Sequence, residues 1–241
     1  MSAIPFFAIA FFSILVIFLW RLYFLFFQHF SFKNVIFKAK TKDKILVLTF
    51  DDGPNPKTTL KILEILKKYN LKATFFQIGQ NIEKFPHLTE KIYKEGHIIG
   101  NHLFRHKFFT LLSSELFEKE LIKTQELITK IIKKRPRFFR PPYLFLFPPV
   151  LKIVQKHNLI LVGSTVFSTF EPSQPPALLM SSEILFLLSP GSILTLHEGQ
   201  DIQLKDYKET TKALEKLIPK ILKKGYKILP LSEILKVPPY L

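Results

Sequence analysis

Cysteine is absent from the 241-residue sequence, and glycine occurs only 8 times. Without cysteine the chain cannot form a disulfide scaffold, a thiolate zinc finger, an iron–sulfur cluster or a cysteine nucleophile, and any metal ion would have to be bound by His, Asp or Glu. The few glycines form no Gly-rich phosphate-binding loop, so we predict no nucleotide cofactor. These absences exclude several classes of function but leave the cellular compartment open.

Apolar residues and basic residues are both abundant. The apolar fraction is 47%, including 26 Phe, which is enough for one sizeable core. The formal net charge is +16, which would attract nucleic acid, anionic lipid or an anionic wall polymer. The lysines are spread along the chain, however, without the compact basic stripe and interleaved aromatic residues that mark a nucleic-acid-binding surface. We therefore predict no nucleic-acid partner.

The N-terminus carries a long apolar run. Residues 3–20 (AIPFFAIAFFSILVIFLW) contain no charged side chain, and the run continues to Phe27. A helix of about 18 residues spans about 27 Å, close to the hydrocarbon thickness of a bilayer. No basic residue precedes the run and no small-x-small cleavage site follows it, which favours a retained anchor over a cleaved signal peptide. We predict a single membrane-spanning helix within residues 3–27, an anchor and linker over 1–40, and a folded domain over 41–241.

Two signals disagree about the orientation of this anchor. The basic residues cluster after the apolar run, at Arg21, Lys33, Lys38, Lys40, Lys42 and Lys44. A count of positive charges would therefore place the folded domain in the cytoplasm. The function inferred below points to a domain outside the cytoplasm, and we expect that placement. The two signals leave the orientation open at this point.

Strand-like and helix-like segments alternate after about residue 43. The run KILVLTF (44–50) is typical of a buried strand, and residues 58–69 have the apolar spacing of a helix. Further strands are expected near residues 73–78, 97–100, 138–140, 159–162, 192–196 and 226–229, and further helices over 88–95, 113–134 and 208–224. Proline runs at 148–149, 175–176 and 238–239 indicate loops. The repeated pattern predicts a parallel sheet in a closed or nearly closed (β/α) barrel of about seven strands.

Polar side chains follow the predicted strands, at the end of a barrel where functional loops lie. The candidates are Asp51, Asp52, Asn101, His102, His106, Arg140, Tyr143 and His197. Taken singly, each could have a purely structural role, in a turn, as a buried histidine, or in a rigid loop with a surface ion pair. Taken together, one carboxylate and two imidazoles would form a three-ligand metal site with positions left for water or substrate.

Spacing within these segments adds to the interpretation. His102 and His106 are four residues apart, which can place both imidazoles on one side of a helical turn. Asp51 and Asp52 are adjacent, and neighbours along a chain rarely point the same way. One acid could therefore bind a metal ion while the other acts as a base.

The motifs TFDDGP (49–54), HLFRH (102–106), RPPY (140–143) and LTLH (194–197) resemble, in order and spacing, those of the polysaccharide deacetylase family, the NodB-homology carbohydrate esterases. The resemblance covers about residues 43–236. It implies a distorted (β/α) barrel and metal-dependent removal of acetyl groups from N-acetylated sugars in chitin-like or peptidoglycan chains.

The resemblance also implies a role for each matching residue. A divalent ion, zinc in our expectation, would be held by Asp52, His102 and His106. Asp51 would deprotonate the attacking water, and Arg140 would orient Asp51 through a charge-assisted hydrogen bond.

Two further roles follow from the later motifs. The backbone N–H of Tyr143 would help to stabilise the tetrahedral oxyanion, and His197 would protonate the departing amine.

The sequence also departs from the family pattern. No Asp occurs between Asp52 and Asp201, although the family places one after the fifth strand to support its general-acid histidine. Glu171 is the nearest candidate substitute. Leu103 and Leu144 replace a common Ser or Thr and a common Gly, changes expected to reshape the substrate groove.

Three hypotheses result. The first is a membrane-anchored N-deacetylase of a cell-wall polysaccharide, with peptidoglycan as the expected substrate. The second is a noncatalytic glycan-binding protein on the same fold, and the third is an esterase acting on O-acetyl groups. The sequence gives no oligomeric state, and the remaining histidines receive no role: His29, His87, His97 and His157.

Overall fold

The computed structural model describes residues 35–145, 148–199 and 205–241. The chain divides into two compact units, Met1–Val35 and Ile36–Leu241, and the description below concerns the second. The predicted membrane anchor, residues 3–27, lies outside the described residues. Among the residues that are described, no helix combines the length and hydropathy needed to cross a bilayer.

In the part of the chain that the structure describes, eight strands form one sheet, ordered β1-β6-β5-β4-β3-β2-β7, with β8 also paired to β2. In chain order they are β1 Val35–Ile36, β2 Ile45–Gly53, β3 Thr74–Gln77, β4 Ile98–Asn101, β5 Phe138–Phe139, β6 Ile160–Val162, β7 Ser192–His197 and β8 Lys227–Ile228. The pairs formed among β2 to β8 are parallel. An isolated parallel bridge between Val166 and Leu194 joins the chain after β6 to β7, so the sheet curls back on itself. This arrangement is consistent with the predicted distorted barrel.

Nine helices are present in the described part of the chain and surround the sheet. They are α1 Thr59–Lys68, α2 Gly79–Lys84, α3 Pro86–Lys94, α4 Phe108–Leu112, α5 Ser114–Ile132, α6 Pro148–Lys156, α7 Ala177–Leu187, α8 Lys208–Lys223 and α9 Leu231–Leu235. Short 3-10 turns cover Pro142–Leu144 and Glu171–Ser173. The helices bury one apolar face against the sheet, as Ile62 and Leu66 of α1 do.

The central strand β2 explains why the site forms where it does. Its sequence ILVLTFDDG is buried after the first residue, because both faces of a barrel strand are covered and need a continuous apolar run. Leu46, Leu48 and Phe50 share a core cluster with residues of α1, whereas Val47 packs with side chains of neighbouring strands. The strand pairs with β3, β7 and β8. Its carboxyl end therefore lies beside the carboxyl ends of β3 and β7, which brings distant loops together.

Most predicted elements are confirmed, with two corrections. The first strand continues through Asp51 and Asp52 to Gly53 instead of ending before the acidic pair. Pro148 and Pro149 begin α6 and do not form a loop, since proline fits the first turn of a helix, where its missing N–H needs no partner. The prolines at 175–176 immediately precede α7.

Candidate active site

The acidic pair lies where β2 bulges. Pairing with β3 shifts between Asp51 and Gly53, so Asp52 is an extra residue, and its φ is 67°. A bulge redirects neighbouring side chains, and the two carboxylates accordingly meet different partners. The left-handed backbone of Asp52 is costly for a residue with a Cβ atom and is typical of functional positions.

The three predicted ligands converge. Asp52 Oδ1 lies 3.4 Å from His102 Nε2 and 3.5 Å from His106 Nε2, and the three possible ligand atoms lie within 4.8 Å of one another. His102 Nδ1 donates a hydrogen bond to the Arg140 carbonyl oxygen at 2.7 Å, which leaves the Nε2 lone pair directed at the group. Asp52 Oδ1 is buried and accepts no hydrogen bond from any described residue. A carboxylate and two imidazoles arranged in this way fit a divalent ion of the zinc type.

Electrostatics favour the ionised form of Asp52. Burial opposes its negative charge, but the imidazoles of His106, His102 and His197 outweigh burial and lower the pKa of Asp52. The side chain therefore carries the charge that a metal ligand needs.

The two histidines of this group lie in a loop and not in the helical turn that their spacing allowed. Residues 102–107 contain no helix, and Leu103 has a φ of 62°. The Leu103 N–H donates to Asn101 Oδ1 at 2.8 Å. Arg105 Nε donates to Glu120 Oε1 of α5 at 2.7 Å, and these bonds hold the loop in place.

Arg140 is fully buried and reaches the other carboxylate. Its Nη1 donates to Asp51 Oδ1 at 2.7 Å and to Thr49 Oγ1 at 2.8 Å. Its Nε and Nη2 donate to the carbonyl oxygens of Val162 and Gly163 at 3.0 and 2.7 Å. The predicted contact between Arg140 and Asp51 is present, and the guanidinium fixes the orientation of that carboxylate.

His197, at the end of β7, has an acidic partner. Its Nδ1 donates to Glu171 Oε2 at 2.8 Å and its backbone N–H donates to Glu171 Oε1 at 2.9 Å. Glu171 is fully buried and also accepts from Thr210 Oγ1 at 2.9 Å. Burial alone would lower the pKa of His197, but the Glu171 carboxylate raises it to about 10. Glu171, the candidate substitute for the absent aspartate, therefore does reach His197.

Tyr143 borders the three-ligand group. Its ring lies 4.4 Å from that of His106, centroid to centroid, and its hydroxyl donates to the His106 carbonyl oxygen at 3.1 Å. Tyr143 and Leu144 have φ values of 58° and 52°, so the turn after Arg140 uses two left-handed residues in succession. Tyr143 is 45% exposed and forms part of the rim of the site.

Sequence reasoning missed two buried acids. Glu120 holds Arg105, and its signal was an acid on the apolar face of α5, between Phe117 and Leu121. Glu198 directly follows His197 and is fully buried. Burial raises the pKa of Glu198 to about 8; the Thr59 hydroxyl opposes this shift, and the negative charges of Asp52 and Asp51 add to it.

Comparison with known proteins identifies the family of the chain. The family model described as polysaccharide deacetylase matches residues 38–162. The chain belongs to the polysaccharide deacetylase family. A curated member, a peptidoglycan-N-acetylglucosamine deacetylase of Bacillus cereus, is 34% identical over 189 residues, which cover 78% of this chain and 67% of the relative. A chitooligosaccharide deacetylase of Azorhizobium caulinodans is 31% identical over 194 residues, covering 77% and 92% of the two chains.

Solved structures of the polysaccharide deacetylase family share the fold. A crystal structure of a peptidoglycan N-acetylglucosamine deacetylase has a TM-score of 0.81 and 30% identity, covering 86% of this chain and 94% of the other. A member from Bacillus anthracis, described as a family pseudoenzyme, has a TM-score of 0.76 and 26% identity, covering 86% and 70%. The family therefore includes a fold relative without activity, and function has to be argued from the site.

Proposed function

We propose that this family member removes acetyl groups from N-acetylated sugars of a cell-wall polysaccharide, with peptidoglycan as the substrate. The observation that carries the proposal is the convergence of Asp52, His102 and His106 beside a second carboxylate, Asp51, that Arg140 holds separately. A ligand group and an independent base are the two parts that metal-assisted hydrolysis of an amide requires. The names of the curated relatives support the same substrate class.

A divalent ion, which we propose to be zinc, would be held by Asp52, His102 and His106 and would supply Lewis-acid activation of water and of the acetyl carbonyl. Asp51 accepts a proton from the water whose oxygen adds to the carbonyl carbon. Arg140 keeps the Asp51 carboxylate oriented through its 2.7 Å hydrogen bond. The Tyr143 backbone N–H donates to the oxygen that becomes negative in the tetrahedral intermediate.

The carbon–nitrogen bond then breaks on the other side of the site. His197 Nε2–H gives its proton to the departing sugar nitrogen, and the products are acetate and the free amine. The Glu171 carboxylate keeps His197 protonated, because a pKa raised to about 10 leaves the imidazolium form dominant at neutral pH.

An acetate-release assay tests this proposal. The full chain is incubated with peptidoglycan, N-acetylglucosamine oligomers and O-acetylated oligosaccharides, with and without a chelator, and Asp51→Asn serves as the matched control. We expect chelator-sensitive release from the N-acetylated substrates and loss of release in the control. Release from O-acetylated substrates alone would identify an esterase.

The noncatalytic alternative makes the opposite prediction. Glycan binding without acetate release would place the chain with the pseudoenzyme relative. In this chain, however, the ligand group, the base and the general acid are all present, which supports the catalytic proposal.

We further propose that residues 3–27 anchor the chain in the membrane, with the folded domain outside the cytoplasm. The supports are the uncharged apolar run and a polymeric wall substrate that cytoplasmic enzymes do not meet. Protease added to intact cells tests this placement. Degradation of residues 41–241 is expected, and their protection would contradict it.

A further inference from the structure

Glu198 is a buried acid for which the proposed reaction has no use. It follows His197 in sequence, and its side chain is fully buried beneath the turn that carries Asp52. Its backbone N–H donates to the Asp51 carbonyl oxygen at 2.9 Å, which ties the end of β7 to the end of β2. An isolated buried carboxyl is expensive, so an apolar residue of similar size would serve a purely structural purpose at lower cost.

The side-chain contacts of Glu198 place it between β2 and α1. Its Oε1 accepts a hydrogen bond from the hydroxyl of Thr59, the first residue of α1. The same hydroxyl accepts a hydrogen bond from the Asn55 N–H at 2.8 Å, so Thr59 links Glu198 to the turn after Asp52. The other oxygen, Oε2, accepts no hydrogen bond from the described residues and lies against Gly53, where a Cβ atom would overlap it.

These contacts act on the backbone that aims Asp52. Asp52 has a left-handed φ of 67°, which needs support from its surroundings. On one side, Asn81 Nδ2 donates to the Asp52 carbonyl oxygen at 2.9 Å and the Ile78 N–H donates to the Gly53 carbonyl oxygen at 2.9 Å. On the other side, the turn packs against Glu198.

We propose that Glu198 is a positioning residue that holds the turn of residues 52–55 so that the Asp52 carboxylate points at the two histidines. The inference rests on the proposed function, because it takes Asp52 to be a metal ligand. Glu198 acts through the backbone and is not itself part of the ligand group, which consists of Asp52, His102 and His106.

Cobalt binding to the full chain tests this role without reference to turnover. The metal-free protein is titrated with Co²⁺, and both the dissociation constant and the visible absorption spectrum are recorded. Glu198→Ala should weaken Co²⁺ binding by about 10–100-fold and change the spectrum, the usual size of an effect on a group that orients a ligand. Glu198→Gln, which keeps the shape and the acceptor for Thr59, should restore both readouts to within about threefold of the wild type.

Two further variants keep the test decisive if Glu198→Ala folds poorly. Thr59→Val conserves volume and removes the hydroxyl, and it should weaken Co²⁺ binding in the same direction. Leu63→Ala removes a buried side chain of the same helix and should lower the free energy of unfolding while leaving the Co²⁺ affinity of the folded protein unchanged. Wild-type affinity in both Glu198→Ala and Thr59→Val, or an equal loss in Leu63→Ala, would overturn the proposal. A wild type that binds Co²⁺ but releases no acetate would instead overturn the deacetylase function alone.

Discussion

The site has two halves that are built differently. The ligand half consists of Asp52, His102 and His106 and lies within the range matched by the family model, residues 38–162. The acid half consists of Glu171 and His197 and lies beyond that range. The ligand half comes from two short motifs, TFDDGP and HLFRH, whereas the acid half joins one residue of a 3-10 turn, Glu171, to one strand-end residue, His197.

The hydrogen bonds differ in the same way. His102 is held by two main-chain oxygens, those of Gln77 and Arg140, so its placement depends on backbone geometry. His197 is held by the Glu171 side chain, 26 residues away, and Glu171 in turn by Thr210, 39 residues away. We therefore expect the orientation of His102 to depend little on neighbouring side chains, whereas the orientation of His197 depends on the single side chain of Glu171.

Removal of a ligand should have the largest effect. Asp52→Ala deletes the carboxylate shared by the two imidazoles, so we expect loss of bound metal and a fall in turnover of more than about 10⁴-fold. Elemental analysis and acetate release on the same sample measure the two losses. Normal metal content in this variant would remove Asp52 from the ligand half.

Removal of the base should separate binding from chemistry. Asp51→Asn keeps an acceptor for Arg140 but cannot take a proton, and we expect normal metal content with turnover lowered by about 10²–10⁴-fold. The same elemental and acetate measurements apply. Full activity would show that another group acts as the base.

A change in the acid half should alter the pH dependence of turnover. Glu171→Gln removes the charge that raises the pKa of His197, so His197 loses its proton at lower pH and turnover above neutral pH falls by about 10–100-fold, with a smaller loss near pH 6. The pH profile of turnover, with metal content as the control, measures this. A profile parallel to that of the wild type would remove Glu171 from the acid half.

The same pair should affect stability in a defined direction. The folded-state pKa of His197, about 10, lies above its ordinary value of 6.5. The stabilisation from Glu171 is therefore fully present below about pH 6.5 and is lost as the pH rises through about 10. Denaturant unfolding of the wild type and Glu171→Gln at pH 6 and pH 10 should show a larger difference in the free energy of unfolding at pH 6.

The smallest effect should come from the rim of the ligand half. Tyr143→Phe removes the hydrogen bond to the His106 carbonyl oxygen but keeps the ring and the backbone N–H. One such bond contributes about 0.5–1.5 kcal/mol, so we expect turnover to fall by about 2–10-fold without loss of metal. A loss as large as that of Asp51→Asn would mean that the hydroxyl itself takes part in the chemistry.

The sequence predicted the alternating elements and the ligand half because both are encoded locally. The apolar run of β2 and the histidine spacing each lie within a few residues. Loop conformation was predicted less well. The bulge at Asp52 depends on pairing with β3, and the loop at Leu103 accepts hydrogen bonds from the N–H groups of Gly79 and Gln80 of α2. The helical turn that the histidine spacing allowed at residues 102–106 is therefore not formed.

His197 and Glu171 were both named from the sequence, but their contact, and the role of Glu198, could not be predicted for a related reason. Glu171 could be named as a candidate, but whether it reached His197 depended on the 3-10 turn that carries it. Glu198 gave only the weak signal of an acid after a strand-end histidine, and its partner Thr59 is 139 residues away. Such pairings follow from the closure of the sheet, which no local pattern specifies.

Arg140 orients a carboxylate at the end of β2 while it binds two carbonyl oxygens at the end of β6. Selection for a stable barrel and selection for turnover therefore act on one position. A relative that lost catalytic activity could lose the two histidines at modest structural cost. Arg140 would still be needed, because it also stabilises the sheet. The presence of Arg140 in a relative therefore indicates an intact fold and not activity. A search for inactive members of the family should begin with the two histidines.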